Sequence, residues 1–216
     1  MGNTFINALI DMNRLDHVGV KQWLFYPGML FRSSSSWWGT GRPRNFTHEG
    51  LDLCFFETND AKRFRLDSST RIPVTQPGKI LYIIDDFIGK TIIWEPICNS
   101  RKSIPICVLY AHVTPENRLK AGDAFSGGEP IARVAPVDPE RTPLPPHLHL
   151  SVMVKAALPF SGRIDWKYLN HMDRSAFLDP APLAGIDALN MGMIDFAGNV
   201  NVCDDYPVYP VIEMEN

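Results

Sequence analysis

Four of the six histidines stand where side-chain type and spacing could do chemistry. Two of them fall in Pro145-Pro146-His147-Leu148-His149-Leu150-Ser151-Val152. Residues two apart in a strand point to the same face. A strand here turns Leu148, Leu150, Val152 and Val154 to a core and sets His147 and His149 side by side on the other face. Packing gives little reason for two adjacent imidazoles on an apolar strand, although a pair of surface histidines on an edge strand has the same pattern. A third histidine opens His48-Glu49-Gly50-Leu51-Asp52. Leu51, Leu53 and Phe55 alternate with Asp52 and Cys54, so Asp52 enters a strand and His48 sits in the turn before it. Gly50 permits a bend that brings the two side chains to one point. Alone, this segment reads equally well as a loop histidine and a surface aspartate. The fourth, His112, ends the apolar run Leu109-Tyr110-Ala111-His112-Val113, as a lining residue of the same site or as a core-edge histidine bonded to backbone.

Taken together, these pieces supply what a catalytic zinc site uses: three nitrogen or oxygen ligands and an open fourth position for water. With His48, Asp52 and His149 as ligands, one carboxylate reduces the ion's charge only to +1. The remaining charge lowers the pKa of water and polarises a carbonyl. His147, next but one to a ligand, is close enough to move a proton.

The elements that must position these groups read as β. Aliphatic runs recur at Leu51–Phe56, Lys79–Ile84, Thr91–Trp94, Ile104–His112, Ile131–Val134 and His147–Val154, punctuated by Gly, Pro, Asn and Asp. Runs of this spacing with no long helical pattern between them predict a mainly β, antiparallel sandwich or barrel-like core. A short amphipathic helix is expected over Asn3–Met12, capped by Asn3 or Thr4, and a single helix over Asp165–Phe177. Phe31–Asn45 reads as a loop carrying Trp37-Trp38, a pair that could line a groove or pack on the core. The segment after Pro180 is expected to wrap the core.

Composition narrows the function. At 216 residues, the chain is expected to form one domain. Lys+Arg is 21 against Asp+Glu 24, a net charge of -3, so nothing argues for nucleic acid as a partner. No apolar stretch is long enough to span a membrane. Met1–Met12 has no Lys or Arg and carries Asn3, Asn7 and Asp11, so it does not read as a signal peptide. Four cysteines are too few for a disulfide scaffold and are expected to be buried thiols, with a Cys98–Cys107 bridge conceivable in an oxidising compartment. His17 and His171 have no partner at useful spacing and are assigned to the surface.

HxxxD, then a histidine after an apolar strand, then HxH, in this order, resembles the lysostaphin-type, or LytM-like, zinc metalloendopeptidases. Other segments are similar to the same family. Arg71–Val74 with Ile80-Leu81 is similar to its first core hairpin and Gly89–Trp94 to its Gly-led strand. Tyr110–Val113 is similar to its Tyr-x-His-Leu, and Leu119–Phe125 with Gly128–Ala132 to its paired-Gly hairpin. The resemblance runs from about residue 44 to residue 154. It implies the duplicated hybrid fold as a catalytic core over about 44–154, with 1–43 and 155–216 packing on it as one peptidase domain. It implies one Zn2+ per chain, held by His48, Asp52 and His149, with His112 and His147 as the catalytic pair. It also implies a peptidoglycan or peptide substrate and a periplasmic or secreted location, and leaves the oligomeric state open. The chain departs from the family in Ala135–Pro146, where five prolines and Asp138, Glu140 and Arg141 replace a Gly/Ser/Thr-rich loop. That loop is expected at the rim of the metal cleft as a charged wall, favouring a substrate other than polyglycine.

Two other functions share parts of the pattern. A non-catalytic LytM-like binding or regulatory domain could keep the metal site, although degenerate members lose ligand residues and here all five positions are present. A biotinyl or lipoyl carrier shares the Gly-hairpin pattern but needs a lysine at a hairpin tip, and none stands in that context.

Overall fold

The computed structural model describes residues 4–38, 41–97, 104–159, 164–194 and 208. Thr4 caps the first helix, α1 (Phe5–Met12), through its hydroxyl, and Phe5, Ile6, Ala8 and Leu9 form the buried stripe. Strands follow as β1 (Val20–Phe25), β2 (Leu51–Leu53), β3 (Phe55–Thr58), β4 (Arg63–Arg65), β5 (Arg71–Pro73) and β6 (Gly78–Asp85). The chain continues through β7 (Lys90–Pro96), β8 (Ile106–Pro115), β9 (Ala124–Phe125), β10 (Pro130–Val134) and β11 (Leu148–Val154). It ends, among the described elements, with α2 (Trp166–His171), β12 (Phe177–Leu178), α3 (Ala181–Ala184) and β13 (Met191–Met193). The fold is thus mainly β, as the run of short aliphatic segments predicts.

The larger sheet has nine strands, with β12-β11-β8-β7-β6-β9 as its path, β2 on β11, and β10 joining β8 to β5. Its pairings are antiparallel throughout. A four-stranded sheet, β13-β1-β3-β4, carries a parallel pairing, β1 with β13. Its strand β1 is not marked in the sequence by period-2 alternation, because Trp23, Leu24 and Phe25 are all buried in succession. The main buried cluster draws Phe5, Trp23 and Trp37 from before residue 44, Ile92, Tyr110 and Leu150 from the sheet, and Ala184 and Ile186 from the C-terminal part.

Two expected hairpins are paired differently. Strand β5 pairs with β10 rather than β6, and β9 pairs with β6 rather than β10. Backbone bonds from Val74 N to Glu129 O (3.0 Å) and from Gly128 N to Val74 O (2.7 Å) turn the edge after Pro73 toward β10. The helix expected over Asp165–Phe177 stops at His171, because Met172 is extended (φ -66°, ψ 152°). Asp173 then accepts from Ser175 N and opens a separate short turn before β12. Cys54 and Cys107 are buried, as expected of thiols without a scaffold role. The Cys98–Cys107 pairing falls outside the described residues, as do Asn3 and Cys203.

Candidate metal centre

Strand register makes the site. Pairing of β2 with β11 places Asp52 directly opposite His149. Pairing of β11 with β8 places Ala111, beside His112, on the other flank of His149. His48 precedes β2 in a loop fixed by two backbone bonds, His48 N to Ser33 O (2.9 Å) and Arg32 N to His48 O (2.8 Å).

Three donor atoms converge. His149 Nδ1 lies 2.8 Å from Asp52 Oδ1 and 3.1 Å from His48 Nε2, and His48 Nε2 lies 3.3 Å from Asp52 Oδ1. Ligand bonds of about 2.0–2.1 Å around tetrahedral zinc put neighbouring ligand atoms about 3.3 Å apart. The triangle fits that spacing with slight contraction. All three residues are buried, and their ligand atoms form the metal-capable group among the described residues.

The outer contacts set the ring faces. His48 Nδ1 donates to Leu30 O (3.0 Å), which leaves the Nε2 lone pair for a metal. His149 Nε2 is 2.8 Å from Ser151 Oγ, which frees Nδ1 in the same way. Trp37 Nε1 donates to Asp52 Oδ2 (2.6 Å), and Arg44 Nη2 stands 3.9 Å from the same oxygen. Trp37 is therefore a core residue that holds a candidate ligand. Trp38, beside it, lies under the Arg44 guanidinium at 4.9 Å and lines the cleft. The Trp37-Trp38 pair thus splits between its two readings.

Electrostatics agree with a cation site. Burial penalises the Asp52 carboxylate, but the charge of His48 and hydrogen bonds from His149 and His48 outweigh it and hold the pKa well below the carboxylate range. Burial works against charge on His149, yet the hydrogen bond to Asp52 and that carboxylate's charge raise its pKa. Without metal, a proton between His149 and Asp52 occupies the position a cation would take. His147 is pushed down to about 4, first by burial and then by the His112 charge, so it is neutral at pH 7. Its Nδ1 donates to Pro145 O (2.9 Å), leaving Nε2 free to accept a proton.

The rings of His112 and His147 stand 4.9 Å apart, and those of His112 and His149 5.8 Å apart. All five residues singled out in the sequence therefore meet at one place, and His17 and His171 are exposed, as assigned. Gly50 acts differently from its expected role. Its φ is not in the left-handed region, so no bend requires it. It is required by close approach, since a Cβ would sit 2.5 Å from Leu150 O and 2.7 Å from His149 Cε1.

The centre opens into a cleft of about 440 Å³. Its walls include Trp38, Phe46, Glu49, Phe87, Trp166 and Asn170. None of the lining residues belongs to Ala135–Pro146, which runs as an exposed loop from 136 to 143 before entering His147. The charged wall expected of that loop is not formed. Arg141 Nε pairs with Asp138 Oδ2 at 3.3 Å, so two of its three charges cancel each other. Sequence reading missed Phe46, Phe87, Glu49 and Asp86. Each lies in a turn or loop where no periodicity marks a direction.

No family model matches the chain, and no curated protein matches its sequence. Solved structures do. The catalytic domain of the antimicrobial peptidase lysostaphin from Staphylococcus simulans is similar over 73% of this chain and 90% of that domain, at 19% identity and a TM-score of 0.42. Whole lysostaphin from the same organism is similar over 77% of this chain and 54% of its own, at 20% identity and a TM-score of 0.39. The catalytic domain of the prophage-encoded protein EnpA from Enterococcus faecalis is similar over 62% of this chain and 87% of that one, at 17% identity and a TM-score of 0.35.

Proposed function

We propose that the chain is a zinc-dependent metalloendopeptidase that hydrolyses peptide bonds, with bacterial cell-wall peptidoglycan as its substrate. The observation that carries this reading is the buried His48–Asp52–His149 triangle, with edges of 2.8–3.3 Å, beside two further imidazoles at one end of an open cleft. A closed structural zinc site would use four protein ligands, whereas a three-ligand set facing a cleft suits catalysis. The peptidoglycan assignment rests on the motif order and on the segments from residue 44 to residue 154. Residues 1–216 are taken as a single peptidase domain, since buried side chains from both flanks join the cluster beneath the sheet. Among the described residues no helix is long and apolar enough to cross a membrane.

The chemistry divides among the residues. His48, Asp52 and His149 hold the ion. When bound, zinc supplies Lewis acidity, lowering the pKa of water and polarising a carbonyl. His147, neutral at pH 7 with Nε2 free, accepts the proton that the attacking water gives up. His112, 4.9 Å away ring to ring, accepts a hydrogen bond from the attacking water through Nε2 and orients it toward the carbonyl carbon.

The test is digestion of purified peptidoglycans and a peptide panel with and without a chelator, products read by mass spectrometry. Asp52→Ala is expected to lose most of the zinc. His112→Ala and His147→Ala should keep zinc and lose about 10²- to 10⁴-fold in kcat. Parental zinc affinity in Asp52→Ala would refute the ligand set. A fully zinc-loaded parent that binds peptidoglycan and cuts nothing would make the chain a binding domain.

A further inference from the structure

Asp86 belongs to none of the motifs, yet it faces the proposed catalytic pair. It follows β6 in the turn to β7, and its side chain is fully buried. Both carboxylate oxygens are engaged. Oδ1 accepts from Ile88 N (2.9 Å) and Gly89 N (2.7 Å), which closes the turn. Oδ2 accepts from Thr91 Oγ1 (3.0 Å) and from the backbone N–H of His112 (2.9 Å). Oδ1 also stands 3.3 Å from His112 Nδ1. Trp166 Nε1, from the cleft wall, donates to Thr91 Oγ1 (2.8 Å) and completes the chain of contacts.

The backbone at His112 explains why such a partner is needed. The β7–β8 register runs Lys90↔Val113 and then Ile92↔Tyr110, so two residues of β8 oppose the single residue Thr91. This is a β-bulge, a device that re-aims a side chain. His112 takes φ of 61°, a left-handed conformation that only a few per cent of non-Gly residues adopt, His more often than most. Strained residues of this kind persist only where their surroundings over-determine them. Asp86 bonds the N–H of the bulged residue and stands 3.3 Å from its ring Nδ1, a buried atom with no hydrogen-bond partner among the described residues.

We propose that Asp86 is the positioning residue for His112: it fixes the bulge and keeps the proton on Nδ1, so that Nε2 is the atom offered to the substrate. This rests on the metallopeptidase reading above. An ionised carboxylate can only accept hydrogen bonds, so the ring atom beside it must carry hydrogen. Burial opposes the charge on Asp86, but the nearby His112 ring and the N–H groups of Gly89 and His112 outweigh it and lower its pKa. The carboxylate thus stays ionised.

The first measurement needs no variant and no activity. Long-range ¹H–¹⁵N spectra of the zinc-loaded parent should show His112 protonated at Nδ1 when the ring is neutral. A ring protonated at Nε2 alone would overturn the proposal. Asp86→Asn removes the charge, and its NH2 must replace either Oδ1, which faces the ring and the turn, or Oδ2, which accepts from Thr91 Oγ1 and His112 N. It should move His112 toward the Nε2–H tautomer, keep one zinc, keep KM, and lower kcat by about 10²- to 10⁴-fold, the upper figure being the loss when a buried Asp beside a catalytic His becomes Asn. Added to His112→Ala, the same substitution should cost no further kcat. An equal loss in both backgrounds, or an unchanged tautomer and kcat in Asp86→Asn, would show that Asp86 only closes a turn. If the parent itself cuts nothing, the metallopeptidase reading fails while the tautomer measurement still decides the role of Asp86.

Discussion

Gly50→Ala isolates the register that assembles the candidate metal centre. The added Cβ would lie 2.5 Å from Leu150 O, 2.6 Å from Ser151 Oγ and 2.7 Å from His149 Cε1. The first is backbone of β11 and cannot swing aside. Reaching ordinary contact at 3.4 Å requires β2 and β11 to part by about 0.9 Å locally. Carried into the site, that shift lengthens the His149–Asp52 edge from 2.8 Å to as much as about 3.7 Å, beyond the roughly 3.3 Å that tetrahedral zinc spans. Metal sites tolerate distance errors of only about 0.2 Å, so zinc affinity should fall by about 10²-fold, near the upper end of outer-contact losses. The overpacking should cost about 1–3 kcal/mol in the metal-free protein. For a chain of this size that lowers the melting temperature by roughly 2–4 °C per kcal/mol. Competition with a fluorescent zinc chelator reads the affinity, and calorimetric melting of the apo form reads the cost. A variant with parental zinc affinity and melting temperature would refute the claim that Gly50 serves β2–β11 contact.

Two further outcomes follow from the charges and walls of the cleft. Because Asp52 raises the pKa of His149, zinc must displace a proton: affinity should fall by about tenfold per pH unit for each proton displaced below that raised pKa, and level off above it. Titration calorimetry in buffers of different ionisation enthalpy counts the released protons, and a pH-independent affinity with none released would contradict the pairing. Phe87, 71% exposed and 4.6 Å ring to ring from His112, should set substrate preference. Phe87→Ala is expected to change which peptides are cut while zinc stays bound, whereas a Gly-Ser replacement of residues 137–142 should leave the cleavage profile alone; the reverse pattern would return specificity to the loop.

What the sequence disclosed followed from locality. HxxxD and HxH each confine donors to within four residues, and period-2 alternation through Leu148, Leu150 and Val152 sets the direction of His149. The helix α1 was legible for the same reason, from its 3, 4, 7 spacing and a capping threonine. What stayed hidden depends on pairs distant in the chain. Asp52 meets His149 across 97 positions through the β2–β11 register, and Asp86 meets His112 across 26 through a bulge. No local pattern specifies either. Strand β1 was hidden for another reason: Trp23, Leu24 and Phe25 are all buried, so its apolar residues run together and the alternation that marks a strand is lost. The break after His171 was also hidden, because Asp173 competes for backbone N–H groups with its own side chain, which residue-type patterns do not resolve.

The two halves of the site are held by different devices, and this separates their failures. Asp52 and His149 are fixed by regular strand pairing and His48 by two loop backbone bonds, with Leu30 O, Ser151 Oγ and Trp37 Nε1 orienting the three donor groups. The candidate water-orienting imidazole, His112, is fixed by an irregularity, a bulged residue at φ 61° held by a buried carboxylate in the β6–β7 turn. Regular pairing distributes strain over many bonds, so the donor triangle can persist as a preorganised site before an ion arrives. A bulge concentrates strain at one residue, and its free energy depends on the few contacts that hold it. Damage to the β6–β7 turn should therefore reach His112 while leaving the donor triangle in place, and damage at the β2–β11 contact should do the opposite. On this geometry, metal affinity and turnover are separable properties of the same cleft.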